Sequence, residues 1–475
     1  MLRKRLLRPA GNFTELAFAL DPNPLVENDE YQAFYRQEYY DVSGAHAIER
    51  IALGLQRSFG QPDAFYKAFL IGPSGSGKST QMSRLIRNLS GQYVTIRFSA
   101  FDLDRQRFDA LDLAYLMMLH TFRYLKSEEG PGEEALRHHT PGGLLEEMKD
   151  SLSRETETSK EEVERITSAS GSGALSVVSM LGAKLEAQIR SRTFRARETV
   201  AYKLRPMSDL ESLANRFFDA ARVMVGEASG KELLFVGEDF DKRQVSTDRV
   251  RETFVAYGEH WDTLRAHMVF SLPAELAYSE DRDRLAFGTN RHVMPAAPVF
   301  DHKHQPHEAG RKALRSVLLA RANPKLFAPG TIEWLIAASG GNLRDLFGLT
   351  VHAGDMAEIR GRTAIEDNDV VTAVNEMRRE FSRSLGESGK DDASWPVKAQ
   401  TLLDVYQGKG DTERPTRVAR GLLALRALQE YNDRGRYGVH PLVVDILKEK
   451  GRGDEKGRLP ADAPGGTEPL VRVLD

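Results

Sequence analysis

The sequence predicts an α/β fold, a parallel sheet covered by helices on both faces (αβα), followed by a helical lid and a winged-helix-like C-terminal domain. Three observations predict it. The apolar run Ala68-Phe69-Leu70-Ile71 enters the glycine-rich "GPSGSGKST" and leaves it as a segment whose Met82, Leu85 and Ile86 recur at helical spacing. From residue 45 onward, short apolar runs alternate with helical patterns, as strands and crossover helices do. From about residue 306 the pattern turns helical up to about 385, and a small region of about 396–450 follows a polar linker.

Taken in order, residues 1–45 form a polar lead-in dotted with aromatics ("EYQAFYRQEYYDVSG"), expected as helix and loop. The core spans 46–305, with a helix over 45–58, a strand over 66–71, a helix over 79–89 and the strand "YVTIRFSAF". A charged, Ser/Gly-punctuated insertion of about 125–205 is too long for a plain connection and is expected as a separate excursion. A helix over 208–227 then feeds the strands "ELLFVGEDFDK" and "HMVFSLP". Pro-rich "VMPAAPVFD" leads into the helical lid of 306–385, and "LGESGKDDASWP" reads as a linker. The tail, 451–475, has the Gly/Pro/charge composition of a disordered segment.

The 475 residues suffice for a large core and more than one domain. A net charge of −3 gives no global attraction to nucleic acid or anionic lipid, so such binding must come from local patches. With no cysteine, disulfides, thiolate catalysis and Cys-based zinc sites are excluded. The basic start "MLRKRLLRPAG" lacks a following apolar stretch of signal-peptide length, and Ala174 to Ala183 is too short to span a bilayer. The expectation is a cytoplasmic protein that does not enter a membrane.

Gly72, Gly77, Lys78 and Ser79 satisfy G-x-x-x-x-G-K-[ST] between a strand and a helix, the context this phosphate-binding loop requires. The loop of Gly72, Pro73, Ser74, Gly75, Ser76, Gly77 and onward to Thr80 curls at its glycines so that its backbone N–H groups, Pro73 having none, cradle phosphate oxygens at the positive end of the following helix. Lys78 neutralises the β- and γ-phosphates and the Ser79 hydroxyl ligates Mg²⁺. The expected cofactors are therefore ATP and Mg²⁺. In "LLFVGEDFDK" an apolar strand ends in Glu238, Asp239 and Asp241, where one carboxylate can hold the metal and another orient or deprotonate water.

With "HMVFSLPAELAYS", a strand ending at Ser271, and "ASGGNLRDLF", a helix carrying Arg344, the order of motifs resembles the AAA+ ATPases over about 46–385. The branch it is most similar to contains the origin-recognition and STAND signalling ATPases. The resemblance implies a sensor role for Ser271 and, for Arg344, a reach from the lid to the γ-phosphate. Family members carry Asp-Glu or Asp-Asp after the strand, whereas Gly237-Glu238-Asp239 inserts a glycine and reverses the acids. Either Glu238 holds Mg²⁺ with Asp239 as base, or Asp239 holds it with Asp241 beyond. A short aspartate as base fits slow, switch-like hydrolysis.

Helical spacing at 398–407 and 416–430, a turn at "YNDRG", an extended Tyr437-Gly438-Val439 and a helix begun by Pro441 suggest a winged helix. "VHPLVVDIL" resembles the MHD motif of STAND ATPases, which implies contact of His440 with bound ADP; Pro441 in place of the acid leaves a packed helix-start histidine as the alternative. The basic run Lys184, Arg190, Arg192, Arg195, Arg197, Lys203 and Arg205, with Phe194 and Tyr202, can contact phosphates, a protein partner or only solvent. The functional expectation is a regulatory ATPase switch, in signalling or phage defence, working through a protein partner or self-assembly. The alternative is a DNA-handling ATPase: a loader, initiator or transposition helper.

Overall fold

The computed structural model describes residues 5–44, 46–139, 144, 207–386, 393–409, 415–431 and 436–451. The basic run from Lys184 to Arg205, the Asn432–Gly435 turn and the C-terminal tail from 452 lie outside them. The chain divides into two compact units, one of residues 1–47, 71–83 and 293–475, the other of 48–70 and 84–292.

The second unit is built on a five-stranded sheet of β1 (Lys67–Ile71), β2 (Tyr93–Ser99), β3 (Glu232–Glu238), β4 (His267–Leu272) and β5 (Arg291–Val293), in the order β2-β3-β4-β1-β5. β2 and β4 both run parallel to β3. Every residue of β1 and β4 is buried, which is why both read as unbroken apolar runs. β2, at the sheet edge, alternates in burial. Helix Ala110–Lys126 starts at a capping box in which Asp109 and Asp112 satisfy each other's backbone N–H groups, and it contacts helix Met207–Ser229.

An aromatic core fills the sheet's inner face: Phe254 lies 5.1 Å from Phe69 and 5.2 Å from Phe270, and Trp261 5.7 Å from Phe254. Each such ring contributes roughly 2–3 kcal/mol by leaving water. Lys67 is buried beside this cluster because its Nζ donates to the carbonyls of Trp261 (3.0 Å) and Asp262 (2.5 Å), near the end of helix Gly258–Thr263. Burial pulls its pKa down to about 8.

Gly237 has a steric origin. It pairs with Phe98 on β2 and Phe270 on β4, and a Cβ there would lie 2.3 Å from Phe270 Cδ1 and 3.0 Å from Phe98 Cε2. The glycine that interrupts the acidic motif is thus the one residue that fits between two flanking rings.

In the first unit the lead-in forms helices Phe13–Ala19, Asn28–Phe34 and Gln37–Asp41. It packs on the lid: Ala10 bridges to Ala322, and a Cβ at Gly354 would meet Leu16 Cδ1 at 2.8 Å. The lid helices are Glu308–Leu319, Thr331–Ala338, Leu343–Ile359 and Asp367–Ser384. Then come helices Trp395–Tyr406 and Arg417–Ala424, an antiparallel hairpin of β6 (Leu428–Tyr431) and β7 (Arg436–Val439), and helix Pro441–Gly451. The helical spacing over 416–430 overreaches. The helix stops at Ala424, Arg426 turns the chain at φ +62°, and Leu428–Tyr431 is strand. Among the described residues no helix is long and apolar enough to cross a membrane.

Candidate nucleotide site

The loop between Ile71 and Lys78 has the backbone its glycines were expected to permit. Gly75 and Gly77 sit at φ +89° and +91°, the left-handed region where a side chain is strained. Neither has room for one, since a Cβ would lie 2.2 Å from Asn342 Oδ1 at position 75 and 2.7 Å from Tyr40 Oη at position 77. Lys78 is only 6% exposed. Its Nζ folds back on the loop and donates to the carbonyls of Gly72 (2.7 Å) and Pro73 (2.9 Å). The hydroxyl of Ser76, fully buried inside the loop, has no hydrogen-bond partner among the described residues. A buried ammonium satisfied by carbonyls and an orphaned hydroxyl both fit a loop shaped around an anion.

Arg344 is brought to this loop. Asn342 caps helix Leu343–Ile359, accepting from the backbone N–H groups of Arg344 (3.0 Å) and Asp345 (3.3 Å). The Asn342 amide donates to Ser74 O at 2.6 Å, Leu343 N to Gly75 O at 3.2 Å, and Arg344 Nη1 to Ser74 Oγ at 2.9 Å. The exposed guanidinium therefore stands at the rim of the phosphate loop.

A cleft opens beside the loop, lined by Gly75, Gly77 and Thr80, by Tyr35, Arg36 and Tyr40 of the lead-in, and by Arg321, Arg344 and Phe347 of the lid. Its lining mixes aromatic rings with arginines and loop backbone, the kinds of group that contact a base and phosphates. Leu25 N donates to Thr80 Oγ1 at 3.2 Å, and Tyr39 Oη to Gly341 O at 3.3 Å, so the lead-in forms one wall. Tyr31, Tyr35 and Tyr40 stack in series, with centroids 4.3 and 5.3 Å apart. Sequence reading treated this segment as a lead-in only and missed its place here. Its signal was the density of tyrosines just upstream of a phosphate loop. Asn342 was quoted only as part of the turn before Arg344.

His440 is fully buried. Its Nδ1 accepts from Leu442 N at 3.2 Å at the start of helix Pro441–Gly451, and its ring packs 4.5 Å from Phe381. Burial, reinforced by the charge of Arg426, drives its pKa down to about 3, so it is neutral at physiological pH. These contacts are those of the packed helix-start histidine.

The acidic residues and Ser271 lie in the second unit. Glu238 closes β3, is 6% exposed, and is held by Arg97 of β2, whose Nε lies 2.6 Å from its Oε2. Asp239 takes a left-handed φ of +66°, which turns the chain off the strand. Its Oδ2 accepts from Ser99 Oγ at 2.6 Å, and Lys242 Nζ is 3.7 Å away. The Ser271 hydroxyl accepts from Phe240 N at 3.1 Å, tying the end of β4 to the loop after β3. Arg97 and Ser99 were not singled out from the sequence; alternate residues of a strand neighbouring the acidic one were the available sign. Among the described residues no cluster of three or more His, Cys, Asp or Glu could hold a metal alone.

No protein-family model matches the chain, and no curated protein matches it. Among solved structures it is similar to CDC6P from Pyrobaculum aerophilum, at 11% identity over 91% of this chain and 98% of that one, with a TM-score of 0.39. It is similar to the Aeropyrum pernix ORC2 protein in its ADPNP-ADP complexes, at 11% identity over 92% and 98%, TM-score 0.39. A third is Drosophila ORC bound to DNA, at 12% identity over 94% of each chain, TM-score 0.38. With TM-scores below 0.5, these overlaps establish neither family nor function.

Proposed function

We propose that this protein is an ATPase of AAA+ type that binds Mg·ATP and hydrolyses it slowly, as a nucleotide-dependent switch. The observation that carries the reading is the contact of Asn342, Leu343 and Arg344 with Ser74 and Gly75, which joins a phosphate loop to the first turn of a lid helix. A lid attached at that point responds to whatever occupies the loop. In this reading Lys78 exchanges its carbonyl partners for phosphate oxygens, and Ser79 and Glu238 hold Mg²⁺, which shields the phosphate charge. Asp239, the half-buried acid beyond the strand end, orients the attacking water, and Ser271 supports that turn. Titration of Mg·ATP into the wild type and Lys78→Ala, followed by phosphate release, tests the reading; equal binding and turnover in both would end it.

A second reading, that the ATPase handles DNA, is favoured by the C-terminal order of helix, helix, two-stranded hairpin and helix, which is that of a winged helix. Of the structurally similar proteins, Drosophila ORC was solved bound to DNA. DNA affinity that falls steeply with salt, and falls further on neutralising Arg190, Arg192 and Arg195, would support it; no affinity at low salt would exclude it. A protein partner or self-assembly is the corresponding expectation for the switch.

A further inference from the structure

The turn Ser339-Gly340-Gly341-Asn342 is gripped on two sides. One side makes the phosphate-loop contacts of Asn342, Leu343 and Arg344. On the other, the Tyr431 hydroxyl at the end of β6 donates to Gly340 O at 3.2 Å. A Cβ at position 340 would lie 3.0 Å from Gln429 Nε2, His440 Cδ2 and Pro441 Cδ, so turn and hairpin are in close contact.

Immediately downstream, Asp345 is 3% exposed, and Arg426 Nη1 reaches its Oδ1 at 2.5 Å. His440 Nε2 stands 3.8 Å from the other carboxylate oxygen. Arg426 is aimed by its left-handed φ of +62° in the turn that leads into β6, with its guanidinium 6.0 Å over the Phe381 ring. A charge-assisted bond to a carboxylate this buried has few alternatives, because either group alone would be left desolvated. Arg344 and Asp345 are consecutive residues whose N–H groups share the Asn342 cap. What fixes Asp345 therefore fixes the residue that stands on the phosphate loop.

We propose that Arg426 is a positioning residue for the nucleotide site: by holding Asp345 it sets the first turn of the lid helix, and so determines how Arg344 meets the terminal phosphate of a nucleoside triphosphate. The proposal rests on the nucleotide-binding reading and adds a specific path from the C-terminal hairpin to it. Linkage makes the path reciprocal, so a bound triphosphate also strengthens the hairpin's hold on the lid.

The test is titration calorimetry of the full chain with Mg·ADP and with a non-hydrolysable Mg·ATP analogue. It compares wild type, Arg426→Ala, Arg426→Lys, Arg344→Ala and the Arg426→Ala/Arg344→Ala double variant. Arg426→Ala should weaken the analogue at least about fivefold and leave ADP within about twofold, with Arg426→Lys recovering part of the loss. In the Arg344→Ala background, removing Arg426 should change the ratio no further. Equal weakening of both nucleotides, or the full loss persisting without Arg344, would show a plain structural brace and overturn the proposal. If circular dichroism shows that Arg426→Ala is unfolded, Asp345→Asn, which keeps the shape and removes the charge, carries the same comparison. A wild type that binds neither nucleotide defeats the nucleotide reading and this role together; a wild type that binds both, with an unchanged ratio in the variants, defeats only this role.

Discussion

Arg97 and Glu238 sit on adjacent parallel strands, and the guanidinium Nε of the first lies 2.6 Å from a carboxylate oxygen of the second. Glu238 is thereby held by Arg97 through one carboxylate oxygen, whereas Asp239, one residue further, is held by a neutral hydroxyl and a more distant lysine. The two acids therefore have different chemistry. Asp239→Asn should slow single-turnover hydrolysis about 100-fold or more while Mg·ATP affinity stays within about threefold. Glu238→Gln should instead raise the Mg²⁺ concentration needed for binding. A wild-type rate in Asp239→Asn would remove that residue from the chemistry.

Arg344 stands at the loop rim through Ser74, so its loss should act on the triphosphate and spare the diphosphate. For Arg344→Ala we expect the preference for an ATP analogue over ADP to fall about 5- to 50-fold. Small-angle scattering should then show a smaller difference between the two nucleotide states than in wild type. An undiminished preference would leave Arg344 as a surface residue.

Gly237→Ala should destabilise the sheet by about 1–3 kcal/mol, since the added methyl meets the Phe270 ring. Gly237→Ala with Phe270→Leu should recover part of the loss in melting temperature. An unchanged melting point in the single variant would contradict the packing described.

The buried, neutral His440 makes stability depend on pH. Its folded pKa, about 3, lies below the unfolded value near 6.5, so between them the unfolded chain binds a proton that the folded chain does not. Stability from this residue is complete above about pH 6.5 and is lost as the pH falls toward 3, by about 1.4 kcal/mol per unit. Thermal melts at pH 7.5 and 5.5 should show a smaller drop in His440→Asn than in wild type. Equal drops would mean that His440 is already charged in the folded protein.

Much of the fold was legible because burial writes itself into sequence. β1, β3 and β4 are buried on both faces and appear as apolar runs, and the phosphate loop depends on residue types at fixed spacing. What was not legible arises from pairing across long separations. The lead-in tyrosines reach the loop only because helices Asn28–Phe34 and Gln37–Asp41 fold beside it, and Arg97 meets Glu238 across 141 residues of chain. The helix over 416–430 was over-extended because Leu425, Ala427 and Leu428 continue the apolar spacing of Leu422 and Leu423, and the turn at Arg426 has no glycine to announce it.

The most direct test of the account is calorimetric titration of Mg·ATP into wild type and Lys78→Ala, with circular dichroism to confirm that both fold. Lys78 is buried against the carbonyls of Gly72 and Pro73, and in this account it leaves them for phosphate. The account predicts saturable binding in wild type and its loss, or a weakening of about 100-fold or more, in the folded variant. Binding of equal strength in both, or none in wild type, would contradict it.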